Sequence, residues 1–189
     1  MFISLLRRSL LLGAVIVISA GSNARAGQAF TLSGEVNPAA AGAAATFGFM
    51  FTLTQTIRVT DLGVYDSQWA WSGSRDVGLW DVTSTPSLLA STSVAAPPSA
   101  PSSGTFLYTP IAPVSIGPGV YVVAATTLAG DRPGVNGTRL FDPLIGYSSS
   151  LTAPGTTGLT LPTTHFPSAP LVSWANFQFT TEAAAVPEP

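Results

Sequence analysis

The sequence predicts an all-β protein, an antiparallel β-sandwich of jelly-roll type with about eight or nine strands. Three observations predict it. Residues 47–53 (FGFMFTL), 75–81 (RDVGLWD) and 117–126 (GPGVYVVAAT) are short apolar runs bounded by turn residues, the pattern of strands in a packed sheet. Turn formers recur between such runs, and no helical period runs through residues 27–189. Cysteine is absent from all 189 residues, so the fold must hold by apolar burial, without disulfides, Cys-ligated zinc or thiol chemistry.

The first 26 residues read as an export signal. Arg7 and Arg8 form a positive n-region, and residues 9–20 (SLLLGAVIVISA) form an apolar run of 12 residues, short of the roughly 20 that span a bilayer. Ala24 and Ala26 flank Arg25 in the small-x-small pattern of a signal peptidase site, which predicts cleavage before Gly27. The paired arginines lack the Phe-Leu-Lys continuation of a twin-arginine signal, so the general export route is expected. Cleavage leaves 163 residues with four arginines, no lysine and nine acids, a formal charge of −5. That balance gives no electrostatic footprint for nucleic acid or anionic lipid.

The elements follow in order. Residues 28–36 (QAFTLSGEV) read as a first strand, and 37–45 (NPAAAGAAA) fit a short helix or a loop. Phe47, Phe49, Phe51 and Leu53 share one face of a period-2 ribbon. Ile57 and Val59 alternate next, then the parity slips and Leu62 and Val64 alternate. A bulge at Thr60 and Asp61 would keep both pairs inward. Residues 66–74 form a loop with two tryptophans, 75–83 a strand, 84–87 a turn and 88–94 a short strand. Three prolines make 95–103 a surface connection, and Pro110 and Pro113 make 106–116 an edge or bulged strand. A tight turn at 116–119 enters strand 120–126. Residues 131–137 are loop, 140–147 a weak strand, 148–170 a long Thr/Pro/Gly segment and 171–181 the last strand. The domain is therefore expected over residues 27–181, followed by a linker and terminal motif at 182–189.

Two resemblances add to this reading. GFMFTLTQTIRVTDLGVYD, RDVGLWD, LLASTSV and PIAPVSIGPGVYVVAAT, together about residues 46–128, resemble in order and spacing a domain of unknown function found in many bacterial secreted proteins. Many of its members carry a histidine just before V-G-L-W, where this chain has Arg75 and Asp76. The terminal Val186, Pro187, Glu188 and Pro189 (VPEP) resemble the start of a PEP-CTERM sorting signal, which implies export machinery and an exosortase as partners. In that family an apolar helix and arginines follow. Here the sequence ends at Pro189, so a truncated signal without a stable membrane anchor is expected.

Candidate site residues are few. His165, the single histidine, has no G-x-S-x-G elbow to serve, and an ordinary loop histidine is the expectation. Asp61, Asp66, Asp76 and Asp81 cluster in sequence, and solvated turn and strand-end carboxylates are their plain reading. Ca²⁺ is the one ion they suggest, with Asp66 and Asp76 as its candidate ligands; otherwise no metal or cofactor is expected. A hydrolase built on Asp76, Asp81 and His165 would need a cleft joining them. Trp69 and Trp71 are two apart. Exposed, they would form a platform for a sugar ring; buried, they would be a lid on the core, and burial is the expectation. Asn136, Gly137 and Thr138 fit a glycosylation pattern that marks a surface loop.

Taken together these features imply a non-enzymatic protein exported to the cell envelope or beyond, serving an extracellular matrix or biofilm as a structural or interaction module. The alternative is a carbohydrate-binding module using Trp69 and Trp71, with extracellular polysaccharide as partner and Ca²⁺ as structural ion.

Overall fold

The computed structural model describes residues 26–34, 37–38, 41–66, 71, 73–96, 105–135, 137–165 and 174–181. Strands account for most of them, and no helix occurs among the described residues. Eight strands have seven or more residues: β4 (Ala45–Leu53), β5 (Ile57–Tyr65), β6 (Ser74–Asp81), β7 (Ser87–Ala95), β8 (Phe106–Ile116), β9 (Gly119–Thr127), β12 (Ile145–Pro154) and β14 (Ala175–Thr181). The shorter ones are β1 (Ala26–Gln28), β2 (Phe30–Ser33), β3 (Asn37–Pro38), β10 (Gly134–Val135), β11 (Thr138–Phe141) and β13 (Thr164–His165).

Every ladder is antiparallel. One sheet runs β13-β12-β4-β9-β6-β7 and the other β1-β14-β5-β8, with small ribbons β11-β2 and β10-β3. The pairs β6/β7, β5/β8, β4/β9 and β1/β14 are nested in sequence around the β6–β7 turn. A chain folded into one long hairpin and then rolled so that successive pairs fall alternately in two sheets gives this order, which is the jelly roll. β12 and β13 extend the larger sheet beyond β4.

Apolar side chains from the inner faces of both sheets make one core. Phe49, Phe51, Leu79 and Val123 of the larger sheet meet Val59, Leu62, Phe177 and Phe179 of the smaller, all 2 % exposed or less. Phe30 on β2 closes one end of this core, with ring centres 5.5 Å from Phe49 and 5.2 Å from Phe106. The predicted bulge is present. Val59 faces Phe179 while Asp61 faces Gln178, so Thr60 is the extra residue, and Ile57, Val59, Leu62 and Val64 all point inward. On the other side Val59 faces Val114 and Asp61 faces Pro110, so β8 bulges at the same place. β8 is an edge strand, as its prolines require.

The larger sheet also buries part of its outer face. Trp80, Val122, Ala124 and Leu151 form a second apolar cluster, covered by Leu159 and Leu161 from the segment between β12 and β13. The Trp80 indole folds back over Gly78, two residues earlier on the same face. A Cβ at Gly78 would stand 2.5 Å from Trp80 Cη2 and 3.0 Å from Leu159 Cδ2, which is why this strand reads V-G-L-W.

Three expectations change. The first strand breaks at Ala29, because β1 pairs with β14 and β2 with β11. The weak strand at 140–147 is two elements, β11 and the ten-residue β12, which runs through serines expected to be loop. Ser150 and Thr152 are buried although polar, so β12 has no hydrophobic alternation to reveal it. The stretch 37–45 contains the β3 bridge and no described helix. Residues 1–25, the greater part of the Pro-rich connection, Asn136 and the terminal motif Val186–Pro189 lie outside the described residues.

Candidate binding site

Two neighbouring strands of the smaller sheet end in aromatic residues. Tyr65 closes β5 opposite Phe106, which opens β8, and Tyr108 lies opposite Gly63. The Phe106 ring sits 5.3 Å from that of Tyr65 and 6.0 Å from that of Tyr108, forming a continuous aromatic wall anchored on Phe30. β1 and β2 supply the other side. Gln28, Thr31, Leu32, Tyr65, Thr105, Phe106 and Tyr108 enclose an open pocket of about 220 Å³. The Tyr108 hydroxyl donates to Gln28 Oε1 at 2.8 Å. Tyr65 is only 4 % exposed yet lines this pocket.

Burial and two nearby carboxylates act on the phenols of the wall. Burial raises the Tyr65 phenol pKa, and Asp66 raises it further; burial and Asp61 do the same to Tyr108. Both phenols are therefore neutral donors across the physiological range.

Asp66 is 2 % exposed, and its backbone N–H donates to the Thr105 carbonyl at 2.7 Å, tying the end of β5 to the start of β8. Asp76, on β6, accepts a short hydrogen bond from Ser93 Oγ. No group of three or more His, Cys, Asp or Glu side chains able to hold a metal occurs among the described residues. Asp81 caps the β6–β7 turn by accepting from the Thr83 N–H at 2.8 Å. His165 is exposed on β13, four strand spacings from β6 across the larger sheet, about 19 Å at the usual inter-strand distance. A cleft joining His165 to Asp76 and Asp81 is thereby ruled out.

Of the two candidate tryptophans, Trp69 lies outside the described residues. Trp71 is 5 % exposed, packs 6.3 Å from Trp174 and lies under the Arg75 guanidinium at 5.1 Å. Its indole is a lid on the core, as expected of a buried tryptophan, and offers no face to solvent. Arg75 in turn makes a bidentate pair with Asp131, Nε to Oδ2 at 2.6 Å and Nη2 to Oδ1 at 2.5 Å. Both side chains are almost fully buried. A second buried cation, Arg139 on β11, is enclosed by Phe30, Phe141 and Tyr147 and hydrogen-bonds Tyr147 Oη and Ser150 Oγ at 3.2 Å each. Burial lowers its pKa from the ordinary arginine value.

Sequence reading missed both the aromatic pocket and the Arg75–Asp131 pair. The pair spans 56 residues, and the pocket joins β1, β2, β5 and β8 through register, so no local pattern marks either. No helix among the described residues is long and apolar enough to cross a membrane. No protein-family model matches the chain, and no curated protein or solved structure matches it.

Proposed function

We propose that the chain is an exported, non-enzymatic jelly-roll protein that serves the cell envelope or extracellular matrix as a structural or interaction module. One observation carries most of the weight. Gly27, the residue that signal cleavage would leave first, is paired with Phe179 on β14, and Ala26 before it with Thr180, so cleavage at the expected point would leave all but one residue of β1 in place, which supports the reading. The VPEP terminus supports sorting to the envelope through its resemblance to PEP-CTERM signals. The carboxylates support a non-catalytic role because three have structural work: Asp131 holds Arg75, Asp81 caps a turn and Asp76 accepts from Ser93.

The test is cell fractionation in a bacterial host of the full chain and of a version lacking residues 1–26. The full chain is expected in the periplasm, envelope or medium and the shortened one in the cytoplasm. Equal distribution of the two would sink the proposal.

Carbohydrate binding is a second reading, favoured by the aromatic pocket at Tyr65, Phe106 and Tyr108 in place of a Trp69 and Trp71 platform.

A further inference from the structure

We infer that the pocket walled by Tyr65, Phe106 and Tyr108 and edged by Gln28 is a subsite for one uncharged sugar residue of a polysaccharide, an inference that rests on the carbohydrate-binding reading above.

Size comes first. At about 220 Å³ the pocket is below the roughly 300–1,000 Å³ of sites that enclose a drug-sized ligand, and suits a single ring. Its chemistry is that of a sugar's two sides. A pyranose presents an apolar C–H face, which packs on aromatic carbon, and a rim of hydroxyls that both donate and accept. The Tyr65–Phe106–Tyr108 wall meets the face. The Gln28 amide, fixed through its oxygen by the Tyr108 hydroxyl, keeps both N–H groups as donors for the rim. The Tyr65 phenol is the most telling group. The residue is almost wholly buried and lines the pocket, while its hydroxyl stays open to solvent there, where it can donate to a ligand hydroxyl in place of water.

Charge narrows the class. No lining residue carries a carboxylate, ammonium or guanidinium group, and Asp61 and Asp66 stand close enough to act on the wall's phenols. An uncharged lining offers an anionic sugar no counter-charge, so a neutral hexose unit suits it better than a uronic acid. The wall is also preorganised, because Phe106 is wedged edge-on against buried Phe30 at an interplanar angle of 88°.

The test is calorimetric titration of the purified full chain with neutral gluco-, manno- and galacto-oligosaccharides and, as the acidic arm, alginate oligosaccharides. Tyr65→Phe and Gln28→Ala are titrated beside it, with thermal unfolding as the check on folding; Tyr65→Phe removes one oxygen and keeps the ring. At least one neutral series should bind, with affinity falling about tenfold in Gln28→Ala and several-fold in Tyr65→Phe, as expected for losing one or two hydrogen bonds. Binding that persists unchanged in both folded variants would overturn the assignment of this pocket and leave the carbohydrate reading standing. Preference for alginate would overturn the neutral class. Binding of no glycan would overturn the pocket and the carbohydrate reading together.

Discussion

The ring of Tyr108 occupies the space where a side chain on Gly63 would be. The two residues are register partners on β8 and β5, and a Cβ at position 63 would stand 2.4 Å from Tyr108 Cδ1 and 2.9 Å from the Leu107 carbonyl oxygen. Glycine here lets an aromatic ring lie flat across the neighbouring strand, which both shields the strand and sets the angle at which the Tyr108 hydroxyl reaches Gln28.

Gly63→Ala should therefore destabilise the protein by about 1–3 kcal/mol, the usual cost of forcing extra volume into a packed site. Urea unfolding measures this. A Tyr108→Ala, Gly63→Ala double variant should lose less than the two single losses summed, since the clash disappears with the ring. Strict additivity would mean that the ring is not what Gly63 accommodates.

Removing one partner of the buried Arg75–Asp131 pair leaves an uncompensated charge beside Trp71. Asp131→Asn should cost about 3–5 kcal/mol, and a double change of Arg75→Met with Asp131→Leu should recover much of it. Asp131 also accepts from the Leu128 N–H, so recovery is expected to be incomplete. Equilibrium denaturation of the three variants checks both statements.

Alkaline pH should weaken the fold through its tyrosines. Burial raises the pKa of Tyr65, Tyr108 and Tyr121, with Asp66, Asp61 and Asp81 adding to it in turn. Below the unfolded value near 10 both states keep the proton and stability is unaffected. As pH climbs from there toward the raised folded values, only the unfolded chain releases protons, so stability falls. Phenolate absorbance should accordingly rise together with the loss of strand circular dichroism. Full ionisation of Tyr65, Tyr108 and Tyr121 in a chain that keeps its strand signal would contradict the burial described.

The segment carrying Leu159 and Leu161 shields the outer cluster around Trp80. Leu159→Ser with Leu161→Ser should shift tryptophan emission to the red and lower stability by about 2 kcal/mol, since both leucines are only partly buried. An unchanged spectrum would mean that the segment does not cover Trp80 in solution.

How much of this was legible in the sequence depended on whether a face alternates. Phe49, Phe51 and Leu53 announce their strand because one face is core and Thr52 between them is exposed. Even the Thr60 bulge was readable, because Ile57 and Val59 are out of step with Leu62 and Val64. β12 was not, because Ser149, Ser150 and Thr152 sit under neighbouring strands and side chains with no apolar period to betray them. Trp71 was expected inside and is, whereas its partners Arg75 and Trp174 are fixed by tertiary contact alone. The pocket was illegible for the same reason. Gln28 and Tyr108 are 80 residues apart and meet only once β1, β14, β5 and β8 stand side by side.

The most direct measurement on the account as a whole is the N-terminal sequence and intact mass of the protein recovered outside the cytoplasm of a bacterial host. An exported jelly roll that begins at the predicted cleavage point should start at Gly27, with β1 intact enough for Gly27 and Gln28 to pair with Phe179 and Gln178. A protein found only in the cytoplasm, still carrying residues 1–26, would contradict it.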